Sequence, residues 1–303
     1  MRSILAVVNV LGALLLLFGA FFLLPIVTGL LYGEYDTVIS FVIAGGVTLG
    51  LGLAMKLGTR FHRHELKPRD GYLLVTIGWL LVTAAAALPL MFEIDAISFT
   101  DAYFEAMSGI STTGSTVIVS LDTLPHAVNL WRHALHWLGG MGLIVLAVAI
   151  LPLLGVGGMQ MYRAETPGAV KDTKLTPRIT ETAKALWFAY CGITAAAAAA
   201  LLAAGMSGFD AICHAFSVVA LGGFSTHDSS IGWFDSQQIE VVMIVFMLIA
   251  AVNFSTHFIA LRKGDFAAYR RDPEARWTLV WIAVSVVLVA IVVQFHGTYP
   301  TFG

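Results

Sequence analysis

Long apolar segments dominate this sequence and constrain its fold more than any other feature. Seven of them recur along the 303 residues, at about 4–31, 37–58, 71–92, 127–155, 185–205, 238–261 and 277–295. Charged residues make up only 12% of the chain, about half their share in a soluble protein. Because a membrane-spanning helix needs about 20 apolar residues, the sequence predicts an all-α polytopic membrane protein with about seven transmembrane helices.

The stretch from Ser98 to Val117 begins as a helix and ends in a polar loop. Ser98, followed three residues later by Asp101, is a helix-start signal. The apolar part that follows is about 18 Å long as a helix, too short to cross a bilayer. A polar loop at that depth is tolerated only where it is buried in protein or lines water. The stretch is therefore predicted to be a re-entrant half-helix followed by an ion-selectivity filter loop.

The same stretch recurs after a shift of 109 residues, without a gap. The matched pairs are Ser98 and Ser207, Asp101 and Asp210, Ala102 and Ala211, Ala106 and Ala215, Ser108 and Ser217, and Gly114 and Gly223. Each copy lies between two apolar segments, and both copies begin and end on the same side of the membrane. The sequence therefore predicts parallel span–pore-helix–filter-loop–span repeats with two re-entrant half-helices, not the inverted repeats of many carriers.

The distribution of charge predicts the orientation. All but one of the 17 Lys and Arg residues fall on one side when the spans alternate, which places the N-terminus in the cytoplasm. The exception, Arg132, is interpreted as a snorkelling anchor at the outer interface. Most acidic residues map to the outer side, where they either attract cations or simply reflect the scarcity of Lys and Arg.

The predicted unit suits a cation filter. The C-terminal end of a helix dipole favours a cation, and backbone carbonyls of the loop can replace the ion's hydration shell. Asp101 and Asp210 are interpreted as partners of the helix N-termini, with ion ligation as the alternative, and Gly139, Gly140 and Gly142 as sites of close helix approach. Four histidines are scattered without metal-ligand spacing and are interpreted as packing or interfacial residues: His133, His136, His214 and His257.

The motifs STTGST after DAYFEAMSG, WLGGMGLIV, and LGGFSTHDSS resemble the Trk/Ktr/HKT superfamily of potassium transporters, most closely its bacterial TrkH branch. The resemblance implies four span–pore–span repeats around one pore. Carried over by position, the filter residues are Ser111, Thr112, Thr113, Gly114 and Ser115 in the first copy, and Ala220, Leu221, Gly222, Gly223 and Phe224 in the second. The carbonyls implied to bind potassium are those of Thr112, Thr113, Leu221 and Gly222.

The resemblance also implies the surroundings of the protein. Potassium is the substrate, glycine at both Gly114 and Gly223 implies preference for it over sodium, and no covalently bound cofactor is expected. The chain is expected in the bilayer of the bacterial inner membrane, as a homodimer, with no nucleic-acid partner. A cytosolic nucleotide-binding regulatory subunit of TrkA type is expected to dock on basic inner loops that include 156–184.

The predicted organisation has four parts. Residues 1–70 hold two N-terminal spans and a basic loop, 71–184 the first pore repeat, 185–276 the second, and 277–303 the first helix of an incomplete third. Because the sequence holds two of the four repeats that the resemblance implies, we expect it to be the N-terminal part of a longer protein. The alternative is a non-conducting half of such a protein. A more remote alternative is an intramembrane hydrolase using Ser111 or Ser115 with a histidine, although no nucleophile-elbow motif is present.

Overall fold

The computed structural model describes residues 2–61, 68–142 and 179–295, and its regular elements in these ranges are all helices. The α-helices are α1 Arg2–Ala20, α2 Leu23–Tyr32, α3 Tyr35–Gly58, α4 Pro68–Glu93, α5 Phe99–Ile110, α6 His126–Gly140, α7 Ile179–Ala203, α8 Gly208–Val219, α9 Gln237–Ala250, α10 Phe254–Lys263, α11 Ala267–Arg271 and α12 Pro273–Phe295. Short 3-10 helices occur at Leu121–Thr123 and Ser230–Phe234. This architecture confirms the predicted all-α fold class.

The N-terminal helices form a tightly crossed pair. α1 and α2 together make one candidate span, Ile4–Tyr32, and α1 packs against α3. At the crossing, a Cβ atom on Gly12 would lie 2.7 Å from the Gly52 carbonyl oxygen, and one on Gly52 would lie 2.9 Å from the Gly12 carbonyl oxygen. Small residues allow membrane helices to approach this closely.

Each copy of the repeat has the predicted order of elements. α4 precedes the half-helix α5 and α6 follows it, while α7 precedes the half-helix α8 and α9 follows it. Both half-helices have 12 residues, about 18 Å of helix, which confirms the prediction of elements too short to cross a bilayer. α8 also packs against α6, so α6 is shared by the two copies.

One face of α6 is fixed by Trp131, which is fully buried. Its ring centroid lies 5.7 Å from that of Phe18, 4.6 Å from that of Phe22 and 5.8 Å from that of Phe41, separations typical of favourable aromatic pairs. The indole N–H donates to the Ala86 carbonyl at 3.0 Å. Trp131 thus anchors α6 to α1, α3 and α4, and the rest of α6 is available to the half-helices.

Five described segments are long and apolar enough to cross a membrane: Ile4–Tyr32, Tyr35–Gly58, Arg69–Glu93, Lys184–Ala203 and Pro273–Phe295. They agree with five of the seven predicted spans. The predicted span 127–155 begins with α6, and its second part lies outside the described residues, as does most of the basic loop 156–184. Residues 296–303 also lie outside them.

The predicted span 238–261 is not one continuous helix. Gln237–Ala250 and Phe254–Arg262 meet at 89°, so this segment is either a broken span or a re-entrant loop. The reason for the bend is Asn253, whose side chain accepts a hydrogen bond from the Ser255 N–H at 3.0 Å and so caps the start of a new helix.

Candidate functional site

Both half-helices begin with the same cap. Ser98 Oγ accepts a hydrogen bond from the Asp101 N–H at 3.1 Å and donates one to the Asp101 carboxylate at 2.7 Å. Ser207 and Asp210 repeat both contacts at the same distances, 3.1 Å and 2.7 Å. The cap satisfies a free N–H and sets an acidic group at the positive end of the helix dipole, as interpreted from the sequence.

Both half-helices also end with the same backbone motif. The two hydrogen bonds of a Schellman motif close each helix. In the first copy, Thr113 N–H donates to the Ser108 carbonyl at 2.9 Å and Thr112 N–H to the Gly109 carbonyl at 3.0 Å. In the second copy, Gly222 N–H donates to the Ser217 carbonyl at 2.9 Å and Leu221 N–H to the Val218 carbonyl at 3.1 Å. Its left-handed position usually holds glycine, but here it holds Thr112 (φ 54°) and Leu221 (φ 55°). Such residues store roughly 1–3 kcal/mol of strain, and both carry carbonyls predicted to bind potassium.

Two consecutive glycines of α6 receive the ends of both half-helices. A Cβ atom on Gly139 would lie 1.9 Å from the Ile110 carbonyl oxygen, at the end of α5. One on Gly140 would lie 2.8 Å from the Ala220 Cα, just after α8. This confirms close approach at both glycines, and it brings the negative ends of the two helix dipoles into one region.

The two predicted filter loops touch at their glycines. Gly114 has φ 77°, and a Cβ atom there would lie 1.8 Å from the Gly222 carbonyl oxygen, so both backbone angle and contact require glycine. Gly222 in turn packs on His136, whose Nδ1 would lie 2.2 Å from a Cβ atom at Gly222. Gly223 has φ 91°, but within the described part of the chain no atom lies within 4 Å of its Cβ position.

A polar side chain of each half-helix supports its own loop from behind. Buried Glu105 accepts hydrogen bonds from the Thr116 hydroxyl and the Val117 N–H, each at 3.0 Å. In the second copy, 109 residues later, buried His214 takes the place of Glu105, and its Nε2 lies 3.1 Å from the Ser225 hydroxyl. Ser225 is the counterpart of Thr116. The same position is therefore held by an acid in one copy and an imidazole in the other.

Arg132 lies between the two loops and is only 1% exposed. Its Nε donates to the Glu105 carboxylate at 2.9 Å, and its Nη2 donates to the Thr116 hydroxyl at 3.2 Å. Its Nη1 reaches the Ser225 carbonyl at 3.4 Å, and the guanidinium carbon lies 4.4 Å from the centroid of the Phe224 ring. The prediction of a snorkelling anchor was wrong, because the paired carboxylate provides the polar environment that interfacial water provides elsewhere.

The histidines near the loops contact protein neighbours. His133 Nδ1 lies 2.7 Å from the Asn129 carbonyl oxygen. The His136 ring stacks on Phe224 with 4.0 Å between centroids, and its Nδ1 lies 3.2 Å from the Ser217 hydroxyl. Over residues 2–61, 68–142 and 179–295, no group of three or more His, Cys, Asp and Glu side chains has metal-binding geometry. These contacts favour the packing role predicted for them.

Ser111, one of the two serines proposed for a hydrolase, contacts its own helix and loop. Ser111 Oγ donates to the Met107 carbonyl at 2.7 Å and lies 2.8 Å from the Thr113 hydroxyl. Among the described residues, Ser217 contacts His136 and Ser225 contacts His214, and both serines are buried.

A second link joins the chain segments that follow the two loops. The Asp122 carboxylate accepts a hydrogen bond from the Asp228 N–H at 3.2 Å and lies 2.5 Å from His227 Nδ1. The Asp228 carboxylate accepts a hydrogen bond from the Leu121 N–H at 3.0 Å. The hydrogen bond from His227 lowers the pKa of the exposed Asp122 carboxyl. The contacts are reciprocal, so each segment fixes the position of the other.

The structure brings part of the predicted filter together. Gly114 meets Gly222, and Thr112 and Leu221 have matching backbone angles. The side chains differ more: exposed ones are Ser111, Thr113, Ser115 and Leu221, whereas Phe224 is buried. Ion binding by the carbonyls of these loops remains a prediction.

Sequence reasoning missed Glu105 and the role of Arg132. The internal repeat could have indicated these roles, because the 109-residue shift pairs Glu105 with His214 and Thr116 with Ser225. Polar residues at the same position of two mostly apolar half-helices indicate a buried polar support.

Known proteins resemble the chain along nearly its whole length. The model of the TrkH family, described as a cation transport protein, matches residues 39–296. Over 300 residues the chain is 48% identical to the Trk system potassium uptake protein TrkH of Halomonas elongata and 50% identical to that of Vibrio parahaemolyticus. The alignments cover 99% and 98% of this chain, but 62% and 61% of those proteins.

The fold of this chain is also similar to that of a solved TrkH structure. It matches the crystal structure of the potassium transporter TrkH from Vibrio parahaemolyticus with a TM-score of 0.80 and 45% identity, over 99% of this chain and 60% of that one. The chain thus spans about three-fifths of the length of these relatives. Since the family model covers most of the sequence, this chain belongs to the TrkH family of cation transport proteins.

Proposed function

We propose that this chain supplies two of the four quarters of a potassium-selective pore in a Trk-type uptake subunit. The observation that carries the proposal is the meeting of two equivalent loops, with Gly114 packed against the Gly222 carbonyl oxygen. Potassium is held by the backbone carbonyls of Thr112, Thr113, Leu221 and Gly222. The remaining loop residues shape these turns: Ser111, Gly114, Ser115, Ala220, Gly223 and Phe224.

The mechanism is selective permeation. Carbonyl oxygens replace the hydration shell of the ion, and the adjacent C-terminal ends of α5 and α8 add partial negative charge. The left-handed backbone at Thr112 and Leu221 is held by the Schellman hydrogen bonds, so the carbonyls are arranged before the ion arrives. Arrangement in advance reduces the free energy that ordering the site would otherwise cost on binding.

The surroundings follow from the charge distribution and the relatives. The basic loops face the cytoplasm, with the N-terminus on that side, and the half-helices open to the outside. The similar proteins carry the name Trk system potassium uptake protein, which supports bacterial potassium uptake as the process. Homodimerisation and docking of a TrkA-type nucleotide-binding subunit on the inner face complete the proposed assembly.

The test is transport by the complete coding sequence in bacterial cells that lack their own potassium uptake systems. Growth at low external potassium and uptake of radioactive rubidium are the expected results. Gly114→Ser places a side chain against the Gly222 carbonyl, so we expect it to reduce the preference for potassium over sodium. An unchanged preference at normal protein abundance contradicts the filter assignment.

The 303-residue chain by itself is the second candidate, as a portion that folds but does not conduct. The observation that favours it is the coverage of about three-fifths of the relatives' length. Purified chain in liposomes is compared with protein from the complete coding sequence. Rubidium flux from the latter alone assigns the chain as a part of the pore, and flux from both shows that it conducts unaided.

A further inference from the structure

Arg132 touches both predicted filter loops. Toward the first loop it binds Glu105, at 2.9 Å, and Thr116, at 3.2 Å. Toward the second it reaches the Ser225 carbonyl at 3.4 Å and lies over the Phe224 ring at 4.4 Å. Asn129 Oδ1 accepts a further hydrogen bond from Nη1 at 3.2 Å.

The contacts place a buried cation behind a site proposed to bind cations. Its charge is offset by Glu105, which is also only 1% exposed. A buried ion pair is weak evidence for stability, because a well-packed apolar pair often stabilises a fold as well or better. Buried ion pairs can instead specify one arrangement of the groups around them, and here those groups are the two loops.

Guanidinium has the geometry that this position requires. Its planar fork donates in several directions at once and stacks on aromatic rings, whereas a lysine ammonium is a point charge on a flexible stem. A lysine at this position can pair with Glu105, but it cannot also hold Ser225 and cover Phe224. The second loop would then lose its contacts with this side chain.

We propose that Arg132 is a positioning residue that sets the distance between the carbonyls of the two loops and thereby the discrimination between potassium and sodium. This inference rests on the proposed function. Arg132 does not touch the ion, and it acts through the Thr116 hydroxyl on one side and through Ser225 and Phe224 on the other.

The test measures rubidium and sodium fluxes in proteoliposomes that contain protein made from the complete coding sequence. Arg132→Lys is compared with Arg276→Lys, which makes the same change at an exposed arginine of α12 whose guanidinium lies 5.9 Å from the Trp277 ring. We expect Arg132→Lys to lower the rubidium-to-sodium ratio by about tenfold, the change in equilibrium that accompanies one lost charge-assisted hydrogen bond. Arg276→Lys is expected to keep the wild-type ratio.

The rubidium-to-sodium flux ratio distinguishes a change in loop position from a loss of folded protein. Reduced protein abundance lowers both fluxes alike, whereas displaced carbonyls change their ratio. Phe224→Leu keeps the ion pair and removes the ring that contacts both the guanidinium and His136, and it provides the test if Arg132→Lys does not accumulate. We expect it to change the ratio in the same direction by a smaller factor.

The results separate the two proposals. A wild-type protein that carries no rubidium contradicts the proposed function itself. A conducting wild-type protein whose accumulating Arg132 and Phe224 variants keep its ratio contradicts only the role of Arg132.

Discussion

The first and second half-helix loops share a backbone and differ in the side chains that hold it. The serine caps, the Schellman hydrogen bonds and the left-handed residues at φ 54° and 55° are repeated. Behind the loop, however, the first copy has Glu105 where the second has His214. After the loop glycine, the first copy has exposed Ser115 where the second has buried Phe224.

This difference indicates that the proposed ion binding depends on the backbone of the loops more than on their side chains. A carbonyl site uses backbone atoms, so side chains can change as long as the backbone is held. The supports of both loops converge on one helix: α6 reaches the first loop through Arg132, and it reaches the second through Arg132 and His136. α6 belongs to the first copy by sequence, but it serves both.

The largest expected difference between the copies is at their loop glycines. Alanine at Gly114 and at Gly223 meets the same strain of a left-handed backbone, about 1–2 kcal/mol, but only at Gly114 does the new Cβ collide with a backbone oxygen, at 1.8 Å. We therefore expect Gly114→Ala to lower rubidium uptake much more than Gly223→Ala does. Uptake per amount of membrane protein is the measurement, and equal losses contradict the asymmetry.

The supports behind the loops provide the next largest contrast. Glu105→Gln leaves the buried charge of Arg132 without its partner, which costs about 3–5 kcal/mol of unfolding free energy. His214→Gln loses the ring contacts with the Ser225 hydroxyl and the Asp210 carbonyl, each worth about 1 kcal/mol. Thermal unfolding in detergent, followed by tryptophan fluorescence, measures both. A His214 variant that is as unstable as the Glu105 variant shows that the two supports are equivalent.

The caps test the part that the copies share. Ser98→Ala and Ser207→Ala each remove one N-terminal hydrogen bond of identical geometry, at a cost of about 1 kcal/mol. We expect equal decreases in the unfolding midpoint for the two variants. Clearly unequal decreases mean that the repeated geometry conceals different energetics.

The smallest expected effect concerns pH and the link through Asp122. His227 lowers the pKa of this carboxyl in the folded protein. Its stabilisation is therefore complete above the unfolded value of about 4 and is lost as the pH falls through the lower folded value. The stability difference between the wild type and Asp122→Asn is expected to shrink below about pH 4.

The control for this prediction is Asp95→Asn, which changes another exposed carboxyl. A difference between the wild type and Asp122→Asn that stays constant from neutral to acid pH contradicts the contribution of Asp122. The same dependence in the Asp95 variant assigns the effect to charge in general.

Sequence was sufficient for local elements and insufficient for contacts between them. The caps at Ser98 and Ser207, the half-helix lengths and the glycine loops follow from short-range signals that the 109-residue repeat doubles. The bend at Asn253 was missed because a single polar residue within an apolar run gives little periodic signal. Arg132 was misplaced because its partner Glu105 is 27 residues away, and no local pattern reports that pairing.

The most direct test of ion binding by the two loops is the position of a bound ion. Crystals of protein made from the complete coding sequence, grown with rubidium in place of potassium, locate the ion through its anomalous scattering. A rubidium peak is expected between residues 111–115 and 220–224, with backbone oxygens of both loops around it. A well-occupied peak elsewhere in the pore, with none between these loops, contradicts potassium binding by these carbonyls.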